Sequence, residues 1–332
     1  MNTRLVSQLA HVEMLTPEVE RSRRFFIDVL GLEESHFDGT SSYLRGWGDW
    51  FHHSVQVTQG DYVGLGHIAW RANGPDELQL AAERLEEQGV GEGWVDPTIG
   101  HGKAYRFRAP SGQQMEIFWD VDRYVAPPEL RSTYPNRPQK YVGRGVAARH
   151  LDHVTFPCVD LMADAAWFRD TFGFRLMEWT VLGADKDIPI FAMVSSNEQA
   201  HDVGLLHEPT ELRGRVHHMA FWVDQVADLY RAADIILESG HQIEFGPGKH
   251  GMGENNYLYV RDYGGIRIEL FAGGFRNYQP DWEPIKWAPA QGSNDFFRNS
   301  PMPDSFLEAF PPAGTMMTPE DGVNPWAVSN VS

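Results

Sequence analysis

Short apolar runs with a strand's alternation are followed by stretches with a helix's period, and this order occurs twice along the chain. LAHVEM leads into a stretch with Phe25, Phe26 and Leu30 at helical spacing, and LDHVTF leads into one with Trp167, Phe168 and Phe172. Gly31 and Gly173 stand where each helix should stop, at the left-handed position just past a helix end. Further on, GHIAWRANGPDELQLAAERLEEQGVG matches HHMAFWVDQVADLYRAADIILESGHQI, a strand followed by an amphipathic helix. AYRFRAPSGQQMEIFWDV then matches NYLYVRDYGGIRIELFAG, a hairpin turning at Ser111-Gly112 or Gly264-Gly265. An internal repeat of this kind sets the architecture. The pattern predicts an α+β fold of two tandem modules, each a pair of βαβββ units. The modules are expected at about 6–125 and 148–275, with a polar, proline-containing linker at 126–147. Residues 276–332 are rich in Pro, Trp and Phe but lack periodicity, and are expected to wrap the second module as an irregular tail.

Composition narrows the setting. At 332 residues the chain has room for two ordinary domains, and 42% hydrophobic with 12% aromatic residues supports packed cores. No run approaches the ~20 apolar residues that span a bilayer, and MNTRLVSQLAHVEM lacks a signal-peptide core. The single cysteine, Cys158, excludes an internal disulfide and fits a reducing cytoplasm; in HVTFPCV it reads as a small buried hydrophobe. A formal net charge of −18 argues against nucleic acid as a partner.

The repeated strands carry the candidate chemistry. Each module offers His, His and Glu inside apolar runs: His11, His67 and Glu116, then His153, His218 and Glu269. Two imidazoles and one carboxylate are the ligand set of non-haem iron oxygenases, which keep adjacent positions open. A lone histidine in an apolar strand is more often a hydrogen-bonded core residue. A buried carboxylate, however, needs a compensating charge, and the same three residue types recur at matching places. Strand parity allows only one of His217 and His218 into a common site, and alignment of HHMAFW with GHIAWR selects His218. Around the second triad lie His201 at the head of HDVGLL, His250 in the glycine-rich GPGKHGMGENN, and Tyr259 ten residues before Glu269. The first module retains these in part: His53 can match His201, Arg106 replaces Tyr259, and TIGHGKAY is shorter than the second module's loop. The glycine-rich loop lacks the strand–helix context of a dinucleotide site, so no organic cofactor is expected.

Through LDHV, HDVGLLHE, RVHHMAFWVD, GPGKHGMGENNYLYVRD and RIELFAGG, the chain resembles the two-domain extradiol catechol dioxygenases (catechol 2,3-dioxygenase-like) of the vicinal oxygen chelate superfamily, over roughly residues 6–275. The resemblance implies open, cupped barrels with the metal in the C-terminal one. Fe(II) is expected on His153, His218 and Glu269, with Mn(II) not distinguished by the ligands. It also implies acid–base work for His201 and substrate contacts for His250 and Tyr259. The implied partners are a small aromatic diol and O₂, and the implied assembly is a homo-oligomer, a tetramer by preference. The expected reaction inserts both atoms of O₂ into catechol, or a simple methyl- or chloro-catechol, to give 2-hydroxymuconic semialdehyde in aromatic-compound degradation. A bulkier diol such as 2,3-dihydroxybiphenyl is the nearest alternative. Phe245 stands where a carboxylate-bearing substrate would need a cation, which favours an uncharged ring.

The resemblance leaves the first triad over, because the family's N-terminal barrel generally carries no metal. A vestigial polar cluster without a catalytic metal is the expectation there. Two rivals come from other classes. One is a metal-free aromatic-binding protein of the same fold, which would have no use for an intact triad. The other is a glyoxalase-like isomerase, whose site combines ligands from both barrels.

Overall fold

The computed structural model describes residues 3–183, 187–210, 212–298 and 301–315. The first module runs β1 (Val6–Thr16), α1 (Val19–Arg24), β2 (Glu33–Phe37), β3 (Ser41–Arg45) and β4 (Val55–Gln59). It continues with β5 (Gly64–Ala72), α2 (Pro75–Glu87), β6 (Gly91–Val95), β7 (Ala104–Arg108) and β8 (Gln114–Phe118). The second repeats this as β9 (His150–Cys158), α3 (Leu161–Phe172), β10 (Arg175–Leu182), β11 (Ile188–Ser195) and β12 (Val203–His207). Its second half is β13 (His218–Trp222), α4 (Val226–Glu238), β14 (Ile243–Lys249), β15 (Asn255–Arg261) and β16 (Arg267–Gly273).

Each module is thus βαβββ twice, folded into one open, cupped sheet. The strand order is β2-β3-β4-β1-β5-β8-β7-β6 in the first and, position for position, β10-β11-β12-β9-β13-β16-β15-β14 in the second. A short extra strand, β17 (Ile285–Trp287), lies parallel to β10 and extends the second sheet from the tail. In both sheets the two halves meet at an antiparallel seam, β1 with β5 and β9 with β13, and β8 or β16 runs parallel beside it.

Gly31 (φ 76°) and Gly173 (φ 81°) terminate the first helices in the left-handed region, where a side chain would also strike backbone. The two helices end differently. After Arg24 the first widens into a π-helical turn (Phe25–Val29), with the Leu30 amide bonded to the Phe25 carbonyl. That turn carries two consecutive phenylalanines that are both buried, which a regular α-helical stripe accommodates poorly. In α3 the matching Trp167 is only partly buried and the helix stays regular.

One continuous apolar core runs through both modules. Each module's first helix packs on the other module's second half: Phe26 against Phe221 and Phe25 against His241, and Phe168 against Trp70. Between Phe118 and His150 there is no named helix or strand, yet Gln139 is fully buried as an acceptor for Arg45. Cys158 is buried and unpaired, and burial pushes its thiol up. The described part of the tail reaches both modules. Phe306 packs on Tyr259, Phe310 exchanges backbone hydrogen bonds with Val216, and the Leu65 amide donates to the Pro311 carbonyl. The rest of the expected tail, residues 316–332, lies outside the described residues. Among those described, no helix is long and apolar enough to cross a membrane.

Candidate metal centre and active site

Sheet register explains how residues distant in sequence converge. Ala220 on β13 is paired with His153 on β9 and, across the other edge, with Glu269 on β16. His218 lies two residues before Ala220 and therefore on the same face. In the first module Ala69 is paired with His11 and with Glu116, and His67 lies two residues before it. A small residue at the centre of each arrangement leaves room for three donors to meet. In each set the donor atoms lie within 4.8 Å of one another. Both clusters have the donor set of a mononuclear Fe(II)-type site.

In the second cluster, His153 Nε2 and His218 Nε2 each lie 3.1 Å from Glu269 Oε2. Their outer nitrogens decide which lone pairs face inward. His153 Nδ1 donates to Asp152 Oδ1 at 2.9 Å, freeing Nε2. His217 Nε2 donates to the Phe306 carbonyl at 2.6 Å, so its Nδ1 is an acceptor for His218 Nδ1–H, also at 2.6 Å. That fixes His218 with Nε2 as the inward lone pair. His217 points away from Glu269 and acts on the cluster only through His218.

The electrostatics fit a cation at the shared point. Burial opposes charge on His153, but Asp152 and Glu269 outweigh it and raise its pKa to about 9. Burial dominates at His218 and lowers it to about 4. Glu269 is held well below the usual carboxylate range: burial works against this, but His153 and His218 prevail. His218 Nε2 is buried without an aligned hydrogen bond, as expected of a lone pair aimed at an ion rather than at the carboxylate.

The other predicted residues surround this point. The His201 ring centroid is 4.1 Å from that of His153, and His201 Nδ1 is buried without a partner. Burial, then the neighbouring His153, holds His201 neutral well below its ordinary pKa. Tyr259 is register-paired with Glu269. His250 Nδ1 donates to the Asn294 carbonyl, leaving Nε2 to accept from the Tyr259 hydroxyl at 3.1 Å. Burial and the Glu269 charge push the Tyr259 phenol well above its ordinary value.

Three contributors escaped the sequence reading. Asp152 was signalled by the difference between LDHV and LAHV, its counterpart being Ala10. Strand parity assigns His217 only to the opposite face. Phe306 lies in the aperiodic tail, where no pattern marks it. In the first module His101 was also missed: its Nε2 lies 3.2 Å from Glu116 Oε1.

Comparison with known proteins agrees with this geometry. The profile described as Glyoxalase/Bleomycin resistance protein/Dioxygenase superfamily matches residues 8–117 and 150–270. The chain is 38% identical over 323 residues to a metapyrocatechase of Geobacillus stearothermophilus, covering 96% of this chain and 97% of that protein. It is also 38% identical over 286 residues to a manganese-dependent 2,3-dihydroxybiphenyl 1,2-dioxygenase of Geobacillus genomosp. 3, covering 85% and 90%. Among solved structures, homoprotocatechuate 2,3-dioxygenase of Arthrobacter globiformis superposes with a TM-score of 0.82 at 26% identity, over 94% of each chain. The chain belongs to the glyoxalase/bleomycin resistance/dioxygenase superfamily, and within it to the two-module extradiol-type dioxygenases. It is an oxidoreductase with a metal-coordinating His/His/Glu site.

Proposed function

We propose that this chain cleaves catechol, or a simple methyl- or chloro-catechol, outside its two hydroxyls to give 2-hydroxymuconic semialdehyde in aromatic-compound degradation. In this reading His153, His218 and Glu269 hold Fe(II) in the module at 148–275, and the enzyme works as a cytoplasmic homotetramer. The observation that carries it is the grouping of His201, His250 and Tyr259 around the triad whose two histidines are fixed with inward lone pairs. When bound, the ion supplies a Lewis acid that favours a chelating diol over a monophenol and brings O₂ to it.

The rest falls to the chain's own side chains. His201 is a neutral imidazole without a partner at Nδ1, suited to take a proton from the substrate and return it during ring opening. Tyr259 keeps its proton and can hydrogen-bond the diol oxygen beside Glu269. His250, stacked on Tyr257 at 3.9 Å and anchored by the Asn294 carbonyl, holds the other side.

An uncharged ring suits the surroundings. Phe245, Tyr257, Tyr259 and Phe306 form one buried aromatic cluster. The nearby cations Arg261 and Arg267 are committed to Glu244, and Arg261 also to Glu308. The related manganese-dependent enzyme is named for 2,3-dihydroxybiphenyl, so that diol and Mn(II) are the comparisons to run. Apo-protein loaded anaerobically with Fe(II) or Mn(II) is given catechol, 4-methylcatechol, 4-chlorocatechol or 2,3-dihydroxybiphenyl, then O₂. Oxygen uptake with a yellow product, fastest with Fe(II) and a monocyclic diol, is expected. A colourless muconate, or diol binding without O₂ uptake, would overturn the reaction. Faster turnover of the biphenyl would overturn the substrate assignment alone.

A further inference from the structure

The first module assembles more than a remnant of the second. Around Glu116 it gathers four histidines: His11, His53, His67 and His101. His11 Nε2 and His67 Nε2 are 2.8 Å apart, with Glu116 Oε1 3.8 Å from the former and 3.4 Å from the latter. His67 Nδ1 is held by Glu13 Oε2 at 2.8 Å, which turns the Nε2 lone pair inward. Glu13 is register-paired with His67, the place Thr155 takes opposite His218.

His101 separates the two sites. Its Nδ1 donates to the Gly102 carbonyl at 2.8 Å, so in the neutral ring Nε2 is a lone pair, which accepts from the Thr98 hydroxyl at 2.8 Å. That lone pair lies 3.2 Å from Glu116 Oε1, which itself has no aligned hydrogen-bond donor. A buried carboxylate oxygen without a donor, ringed by the Nε2 atoms of His11, His67 and His101, calls for a positive charge beside it. The corresponding His250 is further from its carboxylate, at 3.8 Å, and bonds to Tyr259 instead. The shorter loop of the first module therefore brings its histidine against Glu116, and His101 stacks on Phe118 with ring centroids 4.3 Å apart.

We infer that His11, His67 and Glu116, whose donor atoms lie within 4.8 Å of one another, form a second divalent-cation site that His101 closes by exchanging the Thr98 hydroxyl for the ion, a site of the zinc type, structural rather than catalytic. Four protein donors leave no position for substrate, the arrangement of structural zinc sites. Arg106, in the place of Tyr259, lies with Nε 3.5 Å from Glu116 Oε2 and sets a positive charge at the mouth. Asp152 has no counterpart here, since Ala10 precedes His11. Glu13 provides the outer carboxylate instead, but Arg106 offsets it, so this site should hold its ion more weakly than the C-terminal one. The competing state is metal-free, with a proton on His67 between Glu13 and Glu116, where its pKa is raised to about 10: burial opposes this and the two carboxylates outweigh it.

Titration of full-length apo-protein with Co(II), followed by visible absorption and calorimetry, separates the two states. Two equivalents per chain are expected, the weaker one giving the intense bands of tetrahedral cobalt. Glu116→Gln and His67→Gln should each remove that equivalent and its bands, while the remaining equivalent reports that the protein is folded. His218→Ala should keep the tetrahedral equivalent and lose the other. A single equivalent in the parent at saturating Co(II), or tetrahedral bands that persist in both Glu116→Gln and His67→Gln, would overturn the inference. Neither result bears on ring cleavage, which is read from O₂ uptake with a diol.

Discussion

The two modules place His, His and Glu at the same register positions around a central alanine, Ala69 or Ala220, yet they surround them differently. In the second module the outer partners are Asp152 and His217, and the face above the donors is lined by His201, His250 and Tyr259. In the first, the outer partner is Glu13, and His101 and Arg106 close over Glu116. Three donors on a sheet are therefore the part the two modules share. What decides between an open reactive site and a filled one is the loop before the last strand pair and the residue opposite the glutamate.

The sharpest way to break this comparison is to remove one imidazole from each side. His218→Ala should abolish both metal binding at the second cluster and ring cleavage, whereas His67→Ala should leave turnover at the parent rate. Loss of ring cleavage in a folded His67→Ala protein would show the first cluster to be part of catalysis. Next in size is the acid–base pair. His201→Phe should keep its metal and bind diol but lose about 10²–10⁴-fold in single-turnover rate, while His53→Phe should not alter the rate. Equal rates in the two variants would remove His201 from its role.

A smaller effect tests the outer partners. His217→Ala should still bind one metal at the second cluster, with affinity lowered about 10–100-fold, the range for a lost outer hydrogen-bond partner. Metal loss as complete as in His218→Ala would contradict the strand-parity reading of the two histidines.

The smallest effect concerns stability. Glu244 on β14 pairs with Arg261 and Arg267, and in the first module Glu92 on β6 pairs with Arg108 and Gln114. Burial alone would raise the Glu244 carboxyl, but the two arginines outweigh it and hold the pKa at about 2 against an ordinary 4.5. A depressed carboxylate contributes fully above its unfolded value and loses that contribution as pH falls from about 4.5 towards 2. Glu244→Gln should therefore cost of the order of 3 kcal/mol at neutral pH. The difference from the parent should close on acidification through that window, as followed by urea unfolding. The exposed Glu92→Gln should cost almost nothing at any pH. Equal losses in both would show that burial beneath the tail does not matter.

Much of this was legible in the chain itself. Period-two and period-3.6 patterns located the strands and helices of both modules, and the glycines at 31 and 173 marked the helix ends, because both signals are local. The triads were legible because apolar strands made their polar members conspicuous. The π-helical turn was not, since it answers to the packing of Phe25 and Phe26 against the other module. Nor was the tail's part: Phe306 meets His217 through its backbone carbonyl, a group every residue has and no pattern betrays. His101 lay in view within TIGHGKAY, but only the folded loop brings it to Glu116.

The strap from Phe306 to Pro312 has a consequence for how the protein is made. All three donors of the second cluster have been synthesised by Glu269, but the carbonyl that sets the tautomer of His217, and through it His218, comes some 37 residues later. The same strap then bonds to Leu65 in the first module. A chain still leaving the ribosome therefore displays a donor set whose second histidine is free to turn either nitrogen inward. The segment that fixes this histidine also fastens the two modules together, so the final orientation of the donor set and the docking of the modules rest on one stretch made late in synthesis.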